Sequence, residues 1–170
     1  MLNIPNSVTV TRIVAVIPLT IFLYQDKIIF QWLAFGLFIL ASATDWLDGY
    51  LARRLDQITE LGKFLDPLTD KILVSAPLLI LIERQVIPAW GVFLIIIREM
   101  VIAGWRVNPQ LTQQNSLQGA NIWGKLKTVT QITAIAMMIM PEFMMINQIG
   151  IIVFWLSVIL TLYSGLIYLI

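Results

Sequence analysis

The sequence predicts an all-α integral membrane protein: six transmembrane helices, both termini in the cytoplasm, and an active site at the cytoplasmic membrane interface. Three observations carry the prediction. The composition is too apolar for a water-soluble fold, the apolar residues fall in six runs, and the basic residues gather on one side of those runs. Of 170 residues, 59% are hydrophobic and 12% charged, against roughly 45–50% and 25% in soluble domains. The mean hydropathy is +0.86. A domain this small still exposes a large share of its surface, and this chain has too few polar residues to cover it, so lipid is the solvent the composition requires. Disorder is excluded because it needs low hydrophobicity and high charge.

The runs lie at 13–24, 28–44, 72–82, 86–97, 129–140 and 143–170. Several are shorter than the roughly 20 residues a spanning helix needs. Each reaches that length if its polar end continues as helix beyond the hydrocarbon. Pro18 and Pro77 fall inside runs, where a membrane helix can be kinked and its freed carbonyls re-satisfied by neighbours. The first segment lacks the basic start and the small-residue cleavage site of a signal peptide and is read as retained. No internal repeat is evident. The uncharged polar stretch 108–118 reads as a connection between the fourth and fifth spans, and residues 1–170 as a single membrane domain.

Six spans put the termini, 45–65 and 98–127 on one side and the turns at 25–27, 83–85 and Pro141 on the other. The first side receives Arg12, Arg53, Arg54, Lys63, Lys71, Arg98, Arg106, Lys125 and Lys127; the second receives Lys27 and Arg84. The positive-inside rule makes the first side cytoplasmic, and the protein is expected to be a multi-pass component of the plasma (inner) membrane. The net charge is +1, without the basic footprint of a nucleic-acid binder.

Cysteine and histidine are both absent. Disulfides, thiolate sites and the commonest general base are therefore excluded, and any chemistry must run on carboxylates. Four aspartates stand out. Asp45 and Asp48 are i,i+3 neighbours, Asp66 and Asp70 are i,i+4 neighbours, and on helices each pair projects from one face. The short link between the helices makes them antiparallel, so the pairs can meet at the cytoplasmic interface, after the 28–44 run has consumed most of the hydrocarbon. Carboxylates this close repel one another unless cations sit between them. An all-oxygen set suits Mg²⁺ or Mn²⁺, and a pair of such ions suits a phosphoryl group in transfer. Gly49, Ala52 and Gly62 beside the aspartates allow a base or a diphosphate to approach the backbone, and Arg53 can fork onto phosphate oxygens. The plainer alternative, helix-end charges paired with nearby Arg and Lys, accounts for one pair at best. Asp56 and Glu60, in the turn between the pairs, read as solvated.

The pattern D-x2-D-G-x2-A-R-x8-G-x3-D-x3-D, filled from Asp45 to Asp70 without a departure, resembles the signature of the CDP-alcohol phosphatidyltransferases, six-helix membrane enzymes. The segment from Asn3 to Arg12, Arg98-Glu99, and the stretch Gly124 to Gln131 resemble the members that use sn-glycerol 3-phosphate. The resemblance implies that Asp45, Asp48, Asp66 and Asp70 hold two divalent cations. It implies that Asp48, Gly49, Ala52, Arg53, Gly62 and Asp66 surround the CDP part of CDP-diacylglycerol, that Asp70 is the general base, and that the protein is a homodimer. Loss of the acceptor proton to a carboxylate agrees with the missing histidine. Ser42, Thr44 and Thr69 have no histidine to activate them, so direct transfer without a covalent intermediate is expected.

The acceptor's dianionic phosphate needs a basic pocket, and the resemblance favours Arg98, Lys125 and Lys127, with Arg106 and Arg12 as further candidates. Positive-inside anchoring alone would also place these residues, and Arg12 reads most simply as a snorkelling interfacial arginine. Lys125 and Lys127 are i,i+2, so both can touch substrate only if the chain near Gly124 is irregular and a helix begins nearby. Trp32, Trp90, Trp155 and Tyr24 read as an aromatic belt, and the methionines from Met137 to Met145 as lipid-facing or packing material. Other acceptors, such as inositol phosphate, inositol or serine, use the same donor chemistry. A carboxylate-lined ion transporter is the reading from a different class, but it leaves Gly49, Ala52, Arg53 and Gly62 unexplained.

Overall fold

The computed structural model describes the backbone of residues 4–55, 60–107, 122–141 and 143–169, and the side chains within 11–44, 68–104, 122–141 and 143–167. The connection 108–118 and Asp56 lie outside the described residues, as does the side chain of Glu60. Six helices and no strand occur among the described residues: α1 (Ile4–Leu23), α2 (Ile28–Leu55), α3 (Glu60–Glu83), α4 (Ala89–Val107), α5 (Ile122–Ile139) and α6 (Met144–Leu169). The chain divides into two compact units, Met1–Ile80 with Ile139–Met144, and Leu81–Met138 with Met145–Ile170.

In the first unit α1 packs on α2. Val16, Leu19 and Leu23 are buried, as are Ala34, Phe38 and Ala41, and both sets recur at the spacing of one helical face. Tyr24 N–H donates to Thr20 O and Gln25 N–H to Phe22 O, closing α1, while Phe30 and Gln31 N–H both donate to Lys27 O and open α2. Phe22 stacks on Phe30 across this turn, ring centres 5.7 Å apart. The part of α3 in this unit buries Thr69, Leu73, Pro77 and Ile80, again one face. Pro18 and Pro77 both lie inside continuous helix, as the sequence predicts.

The second unit holds α4, α5 and most of α6. Val92, Ile95 and Ile102 of α4, Ala134, Ile135 and Met138 of α5, and Phe154 and Val158 of α6 are buried. Gly91 lets α4 approach α6: a Cβ there would stand 3.0 Å from Cε1 and Cζ of Phe154. Trp90 and Trp155 lie beside each other at 4.5 Å. Met138 is buried, while Met144 and Met145 are exposed, so the methionines serve as both packing and outward-facing side chains.

The polarity of α6 is inverted relative to a helix in water. Ser157, Thr161 and Ser164 are wholly buried, whereas Ile152, Leu156, Ile159, Leu162 and Leu166 are exposed. Each hydroxyl is satisfied by the preceding turn, Ser157 donating to Phe154 O at 2.7 Å, Thr161 to Ser157 O at 2.6 Å and Ser164 to Thr161 O at 3.0 Å. Small hydroxyl residues inside and large aliphatics outside are the pattern of a helix packed in lipid. Large apolar residues are also exposed on α1 (Val14, Ile17, Ile21) and α4 (Phe93, Ile97, Met100), a surface that water would penalise.

Among the described residues, one helix, over Met144–Ile167, is both long and apolar enough to cross a membrane; Thr11–Leu23 and Ile28–Thr44 are shorter apolar helices. The sequence predicts six spans. The apolar parts of α1 and α2 are bounded at Thr11 and Thr44 by the limits of the described side chains, and both helices continue beyond them.

The turn after α3 is a Schellman closure, with Val86 N–H donating to Leu81 O and Gln85 N–H to Ile82 O, both at 2.9 Å. It places Gln85 at φ 57°, a left-handed conformation that costs a residue with a Cβ about 1–2 kcal/mol. Gln85→Gly is expected to stabilise the protein by about 1 kcal/mol and Gln85→Val to destabilise it, read as opposite shifts of the thermal-unfolding midpoint in detergent.

Candidate active site

Helix α2 runs continuously through Asp45 and Asp48, and α3 through Asp66 and Asp70. Each aspartate pair therefore lies on one helical face, as its spacing requires. The side chains of Asp45, Asp48, Gly49, Ala52, Arg53, Gly62 and Asp66 lie outside the described residues. Among the side chains that are described, no three His, Cys, Asp or Glu residues come together. The chemistry of the donor set, four carboxylates carried in pairs on two helices, nevertheless fits hard divalent cations.

Asp70 is described. Its side chain is 50% exposed, and Oδ1 lies 3.5 Å from Nη1 of Arg12, whose own side chain is only 4% exposed. The snorkelling arginine expected from the sequence is corrected here. Arg12 stands four and seven residues before Val16 and Leu19 on the buried face of α1, so the helix carries its guanidinium inward, where it needs a carboxylate partner.

The second unit gathers a second polar cluster. Arg98 Nη1 donates to Oε1 of Glu99 at 3.0 Å, and its Nη2 donates to Oγ of Ser164 at 3.0 Å. Lys127 Nζ donates to the same Glu99 oxygen. The side chains of Arg98, Lys127 and Glu99 are 10%, 8% and 23% exposed. Next to them on α5, Gln131 Nε2 donates to Oγ1 of Thr161 at 3.1 Å. Two like charges about 4 Å apart repel by about 4 kcal/mol at the effective dielectric of a partly buried site, so the shared carboxylate is what allows Arg98 and Lys127 to lie together. Glu99 stands beyond the apolar run 86–97. Burial raises its pKa and is the largest single influence, but the charges and hydrogen bonds of Lys127 and then Arg98 outweigh it and hold the carboxyl below its ordinary value.

Of the acceptor candidates, the structure brings Arg98 and Lys127 together. Lys125 is exposed, because α5 is regular helix from Ile122 onward and residues i and i+2 then face apart. From Ile122 onward the described chain shows no irregularity at Gly124 that would let both lysines reach one ligand. The side chain of Arg106 lies outside the described residues. Sequence reasoning names Glu99 only within the Arg98-Glu99 resemblance, without a role, and passes over Ser164. Their signal was a carboxylate directly after an arginine at the end of an apolar run, and a line of hydroxyls at helical spacing in the most apolar segment.

Residues 2–163 match the family model described as CDP-alcohol phosphatidyltransferase. The chain is 40% identical to the CDP-diacylglycerol–glycerol-3-phosphate 3-phosphatidyltransferase of Bacillus subtilis (strain 168), over 97% of this chain and 92% of that protein. It is 34% identical to the protein of the same name from Shigella flexneri serotype 5b (strain 8401), over 98% of this chain and 93% of the relative. For the Rickettsia bellii (strain RML369-C) protein of that name the identity is 30%, over 96% and 91%. The aspartate pattern from Asp45 to Asp70, its placement on two continuous helices and a match along nearly the whole chain agree: the chain belongs to the CDP-alcohol phosphatidyltransferase family.

Proposed function

We propose that the protein is a CDP-diacylglycerol–glycerol-3-phosphate 3-phosphatidyltransferase, transferring the phosphatidyl group of CDP-diacylglycerol to sn-glycerol 3-phosphate to give phosphatidylglycerophosphate and CMP. The observation that carries the reading is the near full-length likeness to relatives of that name, on a chain whose aspartate pattern is complete. The enzyme is read as a multi-pass protein of six spans in the plasma (inner) membrane. Both termini and the active site face the cytoplasm, on the side of nine of the eleven basic residues. A single domain over residues 1–170 and a homodimer complete the proposal.

Asp70 takes the proton of the acceptor hydroxyl as its oxygen attacks the β-phosphorus of the donor. A new oxygen–phosphorus bond forms, the bond from that phosphorus to the CMP oxygen breaks, and the electron pair leaves with CMP. Arg12 holds Oδ1 of Asp70 and so orients the carboxylate. Asp48, Gly49, Ala52, Arg53, Gly62 and Asp66 take the CDP portion, with Arg53 paired to phosphate oxygens. Asp45, Asp48, Asp66 and Asp70 would hold two divalent cations, Mg²⁺ or Mn²⁺, whose charge would neutralise the diphosphate and the leaving CMP. Arg98 and Lys127 receive the acceptor's phosphate, supported by Nε of Arg98, which is buried with no hydrogen-bond partner among the described residues. Lys125 and Arg106 add positive charge on the approach to it, and Arg12 is assigned to Asp70 rather than to the acceptor.

Release of CMP from CDP-diacylglycerol, measured with glycerol 3-phosphate, inositol phosphate, inositol and serine in turn, tests the acceptor; glycerol 3-phosphate is expected to be used at least tenfold better than the others. Excess EDTA is expected to abolish CMP release, and full activity under those conditions would overturn the carboxylate–metal reading. Asp70→Asn is expected to lower turnover at least about a hundredfold while the donor KM changes little. Arg98→Ala is expected to raise the acceptor KM about tenfold, equivalent to about 1.4 kcal/mol, and to leave the donor KM unchanged.

A further inference from the structure

The second unit contains a carboxylate that the reaction does not use directly. Phosphate recognition needs positive charge, yet Glu99 sits between the two cations that carry it, and both donate to the same oxygen, Oε1. We propose that Glu99 is a positioning residue for the acceptor, its shared carboxylate holding the Arg98 guanidinium and the Lys127 ammonium together as a cradle for one phosphate group. The inference rests on the assignment of Arg98 and Lys127 to the acceptor phosphate.

Three features of the structure support the role. The first is convergence: without the shared oxygen two nearly buried cations would repel each other and drive apart. The second is that Arg98 is gripped from its other side. Ser164 spends its own hydrogen on Thr161 O and therefore meets Arg98 Nη2 as an acceptor, while a Cβ at Gly165 would stand 3.0 Å from Cγ of Arg98. A methyl group there would press on the arginine stem, which would have to give by a few tenths of an ångström. The third is that Arg98 keeps donors beyond these two contacts: each terminal nitrogen carries a second N–H, and Nε, buried beside Gly165, has no partner among the described residues.

The chemistry of the acceptor explains why a cradle should contain an anion. Its phosphate takes no part in bond breaking and is carried unchanged into the product, so the cradle meets the same group before and after transfer. Binding of that kind assists capture but not the chemical step, and if too strong it retains product. Two cations against one carboxylate leave a single net positive charge, held in fixed geometry.

The test measures CMP release by the full-length protein in detergent micelles, with glycerol 3-phosphate and CDP-diacylglycerol varied separately. Glu99→Gln is expected to raise the acceptor KM at least tenfold, with the donor KM unchanged and kcat falling by less than KM rises. Glu99→Asp, which restores the charge, is expected to stay within about threefold of the parent. A carboxylate that merely competed with phosphate would give the opposite sign, so an unchanged or lowered acceptor KM in Glu99→Gln overturns the proposal. Should Glu99→Gln fold poorly, Ser164→Ala and Gly165→Ala loosen or displace Arg98 alone and are each expected to raise the acceptor KM at least threefold; no change in either overturns it as well. Arg98→Ala and Lys127→Ala separate the two levels of inference. If both leave the acceptor KM unchanged, the acceptor assignment itself fails; if both raise it while the Glu99, Ser164 and Gly165 variants do not, only the positioning role fails.

Discussion

A charge withdrawn from water must find an opposite charge, and this constraint organises both units of the protein. With 12% charged residues in a chain that is 59% hydrophobic, each buried ionic group is a local decision about packing. Arg12, on the inward face of α1, is tied to Asp70 of α3. Arg98 of α4 and Lys127 of α5 are tied through Glu99. Removing one partner from such a group leaves an uncompensated buried charge and costs several kcal/mol, so these pairs hold particular helices together at particular registers in a way that aliphatic packing does not.

The same constraint explains the hydroxyl line of α6. Ser157, Thr161 and Ser164 each donate to a carbonyl of their own helix, and two of them then accept from Gln131 and Arg98. A polar atom on a neighbouring helix meets a preset acceptor, and none of these three hydroxyls is stranded where water is scarce. The small side chains also allow close helix approach, which Gly91 and Gly165 carry further. What faces outward is large and apolar. Buried hydroxyls and an apolar outer face on α6 express lipid as solvent more directly than helix length does.

The first unit carries the aspartate helices and the arginine beside Asp70; the second carries a compensated cationic cluster. Under the proposed function the two would meet different demands: neutralising a diphosphate and deprotonating a hydroxyl in the one case, recognising a phosphate without reaction in the other.

The sequence by itself determined the helical class, the lipid environment implied by composition, the continuity of helices through Pro18 and Pro77, and the family. These follow from composition, from period and from a pattern of fixed positions between Asp45 and Asp70, all of which are local along the chain. It also determined that each aspartate pair shares a helical face, because i,i+3 and i,i+4 geometry needs only the backbone. Tertiary structure decided which charges are buried and with whom. Arg12 reads as an interfacial arginine until α1 turns it toward Asp70, and Lys125 and Lys127 read alike until regular helix separates their faces. The place of Glu99 after Arg98 and of Ser164 in the hydroxyl line names no partner for either, since their contacts arise from helices that meet in space across 28 and 66 positions of sequence. Pairing of that kind depends on which faces pack, and the energy that selects it, partner charge against lost hydration, exists only once they have packed.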